Sequence, residues 1–543
     1  MAAPAASFDY IIVGGGSAGC VLTARLSERA DVSVLLLEVG PADNTIFVRI
    51  PAGFDRVLGT ERSFLYKTEP QPDAAGRTLT VPQGRTLGGG SSVNGMVYIR
   101  GQREDYDDWR AAGCTGWGYD DVLPYFRRAE GNSRLAGALH GTDGPLKVMD
   151  TPYHHKLSEA FIRAAQETGA ELNHEVPYNH DFNGERQDGV GFYQVTMHGG
   201  ERGSTARYYL REAEQRPNVT VRTGAMVTRV LLDGRRATGV AYRAGGSEVE
   251  AAARREVILV AGALATPRIL MLSGIGPAAH LKEHGIEVVV DRPAVGGNYQ
   301  DHLSVPVWGL LKEPISVFGE NKGLRALRHF IEWALFRSGL ATSNVVECGG
   351  FFDLDGDGRP DVQMHILPML RTEVGRTAPE AHGITVQPNT LASHSRGEVR
   401  LQSRDPAAPP LFRANYLSHP EDVATLVRGV RLARRIMRAP SLARIVSSEI
   451  LPGEATPDED QALEAHVRGF AKTVFHPAGT CRMGSDPGAV VDTRLRVRGI
   501  DGLRVADASI MPEITRGNTN APTIMIAERA ADFITQASRG RNP

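Results

Sequence analysis

Cysteine is scarce in this chain. Four occur among 543 residues, at Cys20, Cys114, Cys348 and Cys481, and no two form a C-x-x-C pair. That spacing excludes a disulfide scaffold and suits a reducing compartment. An excess of charge of either sign is also missing. The 61 basic and 63 acidic residues leave a net charge of -2, so no overall field recruits nucleic acid or an anionic membrane. No apolar run approaches the ~20 residues of a membrane span. The opening "MAAPAASFDY" lacks the basic start and apolar core of a secretory signal, and the expected location is the cytoplasm. Internal repeats, low-complexity tracts and obvious linkers are absent as well.

What remains is an ordinary globular composition, 41% hydrophobic and 23% charged, with a mean hydropathy of -0.23. The length allows two or three cores of roughly 150 residues each. Glycine is abundant, at 60 residues against an average share of about 7%, so close backbone approaches and tight turns are expected. The segment "NKGLRALRHFIEWALFRSG" (Asn321–Gly339) places Leu324, Leu327, Phe330, Ile331, Ala334 and Leu335 on one helical face. It reads as a packed surface helix, with peripheral lipid contact as the alternative.

"VGGGSAGC" (Val13–Cys20) fits two incompatible templates. Gly14, Gly16 and Gly19 give G-x-G-x-x-G, a turn that cradles phosphate. Gly15, Ser17 and Gly19 give G-x-S-x-G, a nucleophile elbow. The elbow needs sheet strands and an oxyanion loop before it, and only thirteen residues precede Gly14. The phosphate template has its full context instead. Phe8–Val13 reads as a strand, a helix follows to about Arg29, and "VSVLLLEVG" is a second strand ending in Glu38. The first glycine turns sharply, the second admits pyrophosphate, and the third lets helix pack on strand. Helix N-terminal amides then face the phosphates, with Ser17 within their reach. Glu38, 19 residues beyond Gly19, is placed to accept from a ribose diol. This acid does not separate NAD from FAD.

Alternating runs between Asn218 and Val260 suggest strands returning to the first sheet, and "ATPRILMLSGIG" (Ala265–Gly276) begins a helix. Residues 107–130 and 156–169 are helical in pattern. "VQMHILPML", "HGITVQPNTL" and "GEVRLQS" suggest a separate antiparallel sheet, with a helix at Glu421–Met437; "LRVADASIM" and the helical "APTIMIAERAADFI" return to the first domain. The expected fold is α/β: a Rossmann-like dinucleotide-binding domain (1–155, 218–301, 475–543) interleaved with a substrate domain (156–217, 302–474) built on an antiparallel sheet flanked by helices.

Five separated stretches carry a family resemblance: "GRTLGGGSSVNGMVY", "GALATPRILMLSGIG", "DRPAVGGNYQDH", "FHPAGTCRMG" and "LRVADASIMPEITRGNTNAPTIMIAERAADFI". Together they resemble the glucose-methanol-choline (GMC) oxidoreductases over essentially the whole chain, in family order. The resemblance implies FAD and an enzyme acting on an alcohol. Gly14, Gly16, Gly19 and Glu38 would hold the ADP half, and Val227 would offer backbone to adenine. Gly89, Gly90, Ser92 and Asn94 would pass close to the flavin, where a Cβ would collide with the ring. Asp507, Ala508, Asn520, Ala521, Pro522 and Thr523 would meet the ribityl chain and pyrimidine edge. Ala294 departs from the family's usual glycine.

His476 occupies the family's catalytic-base position, and an imidazole near its working pH suits that task. Asn520, 44 residues on, is expected to hold the substrate oxygen, with Asn518 as its rival. Glu347 matches an acid that faces quaternary ammonium in choline enzymes, though sugar and alcohol dehydrogenases share it; with His365 it is a candidate substrate contact. "HGTDGPLKV", "HDFNGERQDGVGFYQ" and "FRSGLATSNVVE" resemble sorbose-dehydrogenase-type members and tilt the substrate toward a polyol, sugar or primary alcohol. Choline oxidation or a non-redox role, as in hydroxynitrile lyases, is the alternative. Oxygen, a quinone or another acceptor would take the electrons. No metal is expected. "DLDGDGRPD" places Asp353, Asp355, Asp357 and Asp361 at calcium-loop spacing, but position 12 is Met364, and the stretch reads as a tight acidic turn. His154–His155 has no partners at metal spacing.

Overall fold

Buried, β-branched runs form the centre of the protein, whose computed structural model describes residues 6–169 and 175–539. The strand Ala6–Val13 is buried along its second half and pairs in parallel with Val34–Leu37 on one side and Ser247–Leu259 on the other. Such uninterrupted apolar strands belong in a sheet covered on both faces. The sheet extends through Val219–Arg222 at one edge and through the antiparallel strands Arg236–Ala244 and Met226–Asp233 at the other. Leu503–Val505 returns 244 residues later in parallel beside Val257–Leu259. The helix Ser17–Leu26 packs on the terminal helix Asn520–Arg539, so the two ends of the chain close one core.

The second sheet has eight strands. Its main path runs Val446–Leu451, Val307–Leu311, Gly383–Thr390, Val362–Leu367, Cys348–Phe352 and Gly189–Phe192, all antiparallel. Two short strands, Leu303–Ser304 and Lys472–Thr473, join beside Gly383–Thr390. The helix Pro420–Arg438 lies against it and contributes Leu426, Val430, Ala433 and Ile436 to a second core.

Three local expectations need correction. Residues 107–130 form two helices, Arg103–Ala111 and Tyr119–Ala129, because Gly113 and Gly116 hold left-handed φ values of 93° and 83° between them. "GEVRLQS" does not join the eight-stranded sheet; Glu398–Leu401 pairs only with Pro410–Arg413 as a hairpin. The helix Gly323–Phe336 is not packed along its apolar face. Trp333 is its single buried residue, while Leu324, Leu327, Phe330, Ile331, Leu335 and Phe336 are exposed. Among the described residues, no helix is long and apolar enough to cross a membrane.

Candidate active site

Parallel strands of an open sheet deliver their following loops to one edge, and ligands bind there. Here Gly14, Glu38, Gly262 and Asp507 each sit within three residues of such a strand end, and all four line one cavity of about 720 Å³. The opposite wall is the face of the eight-stranded sheet, through His365, Leu367, Gln387 and Lys472.

The glycine loops are shaped by mutual contact. A Cβ on Gly19 would lie 1.9 Å from the Gly14 carbonyl oxygen, and one on Gly89 would lie 2.7 Å from Gly16 Cα. Gly89 also has a left-handed φ of 50°. Gly90 differs: a Cβ there would meet nothing within 4 Å, though the residue lines the cavity. The space beside it is therefore room for a ligand. Glu38 is buried and accepts from the amides of Gly15 (2.8 Å) and Gly40 (2.7 Å). Burial pushes its carboxyl up to about 7. Hydroxyls donating into that carboxylate would relieve the desolvation, which is the chemistry of a ribose diol. The glycine-lined slot, the uncapped N-terminus of the helix Ser17–Leu26 and this carboxylate fit a dinucleotide.

Of the other expected cofactor residues, Ser17, Asn94, Val227, Ala508, Asn520 and Thr523 line the cavity. Asp507 lines it too, but its oxygens already accept from Gly262, Thr266 and Ser509. Gly19 packs helix on strand, as its spacing requires. Ser92, Ala521 and Pro522 do not reach the cavity. Ser92 spends its hydroxyl on the Leu87 carbonyl at 2.7 Å.

His476 enters from the loop that follows Lys472–Thr473. The residue before it, Phe475, holds φ at 73°, a conformation that costs a bulky side chain of the order of 1–3 kcal/mol. Asp301 secures this turn. It accepts from the His476 amide (2.9 Å), Tyr299 (3.0 Å) and Tyr416 (2.8 Å), and from Thr473. Burial pushes its carboxyl up, against these bonds.

The neighbouring His302 fixes the ring. Its Nε2 lies 3.1 Å from the Leu391 carbonyl. A carbonyl only accepts, so this nitrogen carries the proton. Burial lowers His302 to about 4, leaving it neutral with a lone pair on Nδ1. His476 Nδ1, 3.0 Å away, must then be the donor, and the lone pair of His476 falls on Nε2. From the other side Asn518 Nδ2 lies 3.4 Å from that Nε2, while Gln363 holds the Asn518 oxygen at 3.3 Å. Two independent chains thus select one tautomer. The ring is partly accessible from the cavity, and burial pushes its basicity well below the ordinary histidine value.

Two expected site residues are displaced. Asn520 is not the partner of His476: its Oδ1 accepts from Ser17 at 2.7 Å, at the start of the terminal helix. Asn518, in the loop before that helix, is the residue beside the imidazole. Glu347 is fully buried and does not line the cavity. It accepts from the His155 amide (2.6 Å) and from the hydroxyls of Ser158 (2.9 Å) and Ser343 (2.6 Å). It ties the helix Lys156–Glu167 to the second sheet, and being fully buried outside the cavity it does not face a substrate cation. His365 does line the cavity, its ring edge-on to Tyr193 at 5.8 Å.

Sequence reasoning gave Asp301, His302, Lys472 and Gln387 no role. The first two stand at the end of "DRPAVGGNYQDH", so the landmark was visible though its task was not. The acidic turn brings donor oxygens of Asp353, Asp355 and Asp361 within 4.8 Å of one another. Asp353 nevertheless accepts from the amides of Gly356 and Gly358, and Asp361 from that of Leu354, which is the bonding of a turn.

The GMC oxidoreductase family models match residues 8–304 and 393–527. An alcohol dehydrogenase [acceptor] of Pseudomonas putida is 44% identical over 538 residues, covering 97% of this chain and 96% of its own. An oxygen-dependent choline dehydrogenase of Brucella anthropi is 41% identical over 539 residues, covering 98% and 96%. Among solved structures, a formate oxidase of Aspergillus oryzae studied for modification of its FAD superposes with a TM-score of 0.92 at 27% identity, over 99% of this chain and all of that one.

Proposed function

The chain belongs to the GMC oxidoreductase family, and from that premise we propose how its own residues serve the FAD-dependent oxidation of an alcohol. FAD, when bound, supplies the hydride acceptor. Gly14, Gly16 and Glu38 would hold its ADP half, with Gly89 and Gly90 beside the ring. His476 takes the hydroxyl proton on Nε2. Asn518 donates to the same oxygen and orients it without titrating. His302 is a positioning residue: it holds the His476 proton on Nδ1 and so keeps Nε2 free.

The observation that carries this reading is the tautomer relay from the Leu391 carbonyl through His302 to His476. It leaves one basic nitrogen in the wall of the glycine-lined cavity. The two sheets divide the labour. The seven-stranded one presents the cofactor loops, and the eight-stranded one the substrate face. The four cysteines are free and buried, which supports a reducing, cytoplasmic setting. Cell fractionation checks this. Oxygen or a quinone would regenerate the flavin.

Anaerobic addition of primary alcohols, diols and choline to the yellow protein tests the assignment. Bleaching by an alcohol is the expected result, and a flavin that stays oxidised throughout would overturn it. Asn518→Ala should slow flavin reduction by about 10²- to 10³-fold, the scale of one lost oxyanion-type donor, while retaining FAD. Asn520→Ala should instead weaken FAD retention; the reverse pattern would restore Asn520 to the catalytic role. The pH dependence follows from burial. A histidine held well below 6.5 stays unprotonated as pH falls through 6.5, so kcat/KM should remain level there and fall only at lower pH. A limb with an apparent pKa near 6.5 would contradict the geometry.

A further inference from the structure

The substrate face holds polar groups that the proton transfer does not use. Lys472 is buried, lines the cavity, and has neither a hydrogen-bond acceptor nor a salt-bridge partner among the described residues. His365 and Gln387 are also more than nine-tenths buried and line the same cavity, and His365 Nε2 and Gln387 Oε1 have no hydrogen-bond partner among the described residues. Groups left this way cost free energy until something meets them.

Their placement is a consequence of register. Lys472 pairs with Ser304, Ser304 with Asn389, and His365 with Gln387. Directly opposed residues share a sheet face, as do residues two apart on one strand. Lys472, Asn389, Gln387 and His365 therefore stand on one face. The amide orientations are fixed as well. Asn389 Nδ2 donates to the carbonyls of Gln363 (2.8 Å) and Gln387 (3.3 Å), which leaves its oxygen to accept from Gln387 Nε2 at 3.2 Å. The free atom of Gln387 is thus an acceptor, and that of Lys472 a donor.

We infer that Lys472, Gln387 and His365 form a second hydroxyl-binding subsite, and that the substrate is a diol or polyol. A single hydroxyl can accept from an ammonium and donate to an amide oxygen at once. A carboxylate would face the Gln387 oxygen with no proton to offer. A quaternary ammonium would meet Lys472, with Glu347 committed elsewhere. A simple alkanol would leave all three polar groups unmet. Burial, with the Arg371 guanidinium nearby and Glu373 only partly offsetting it, lowers the Lys472 ammonium to about 7, and a ligand oxygen beside it would favour its charged form. The inference rests on the same cavity being the site of alcohol oxidation.

The test compares 1-butanol with 1,2-, 1,3- and 1,4-butanediol in anaerobic flavin reduction. The best diol should exceed 1-butanol at least tenfold in kcat/KM, with the difference carried by KM. In Lys472→Met and in Gln387→Leu that preference should fall to about twofold, in protein that retains FAD. Equal constants for 1-butanol and every diol in the wild type would overturn the subsite. Tertiary diols of the same spacings, which have no hydride to give, separate this failure from that of the parent reading. They should perturb the flavin spectrum at concentrations at least tenfold below tert-butanol. If they do so while no alcohol bleaches the flavin, the subsite stands and alcohol oxidation falls. If diols and tert-butanol bind alike, the subsite falls whatever the enzyme oxidises.

Discussion

His476→Ala should lower the rate of flavin reduction by alcohol by about 10³-fold or more while leaving FAD bound. General-base removal costs about 10²–10⁴-fold, and no other histidine among the described residues stands in its place. The other histidines are committed or misplaced: His302 gives its proton to the Leu391 carbonyl, and His365 stands on the sheet face. His476→Gln serves as the companion variant, since it keeps volume and polarity without the basic nitrogen. Stopped-flow bleaching under nitrogen reads the chemical step directly, and the visible flavin absorbance of the purified protein reads retention. Near-normal bleaching in both variants would end the assignment. Loss of colour in both would make His476 a structural residue instead.

The second large effect is expected at Gly90. Valine there should leave the fold intact and abolish FAD retention, by at least tenfold in affinity, or about 1.4 kcal/mol. The prediction comes from contrast with its neighbour. At Gly89 a side chain meets backbone at 2.7 Å and a left-handed φ, so Gly89→Val would damage protein and cofactor site together. At Gly90 a Cβ would meet no atom beyond its chain neighbours within 4 Å, and a bound ring is what it would collide with. Thermal unfolding of the cofactor-free variant should therefore match cofactor-free wild type, while the purified variant is colourless. A yellow Gly90→Val protein would mean that the flavin lies elsewhere in the cavity.

The dinucleotide half of this site was legible because its constraints are local. Gly14, Gly16 and Gly19 are spaced by the turn they make, and Glu38 by the length of one helix and one strand. The imidazole pair was not. His302 and His476 are 174 residues apart, and tertiary pairing of their two segments, as of Leu303 with Thr473, brings them together. Asn518 and Asn520 differ by two positions, and their roles follow from where the terminal helix begins, a boundary that pattern places only to within a few residues. Glu347 shows another limit. An acid at a familiar position says nothing of whether its oxygens are already taken, and here three donors had claimed them. The exposed helix Gly323–Phe336 shows the converse: an apolar stripe declares a face suited to contact, not that the same chain supplies the contact.

The chain of bonds behind His476 ends at a peptide oxygen, and a peptide oxygen cannot hand a proton onward. The hydrogen captured from each alcohol is consequently in a cul-de-sac, with no rearward wire to bulk water through His302. It must leave by the doorway the substrate used. Resetting the enzyme for its next turnover is then tied to the aldehyde or ketone vacating that passage, whichever oxidant empties the flavin.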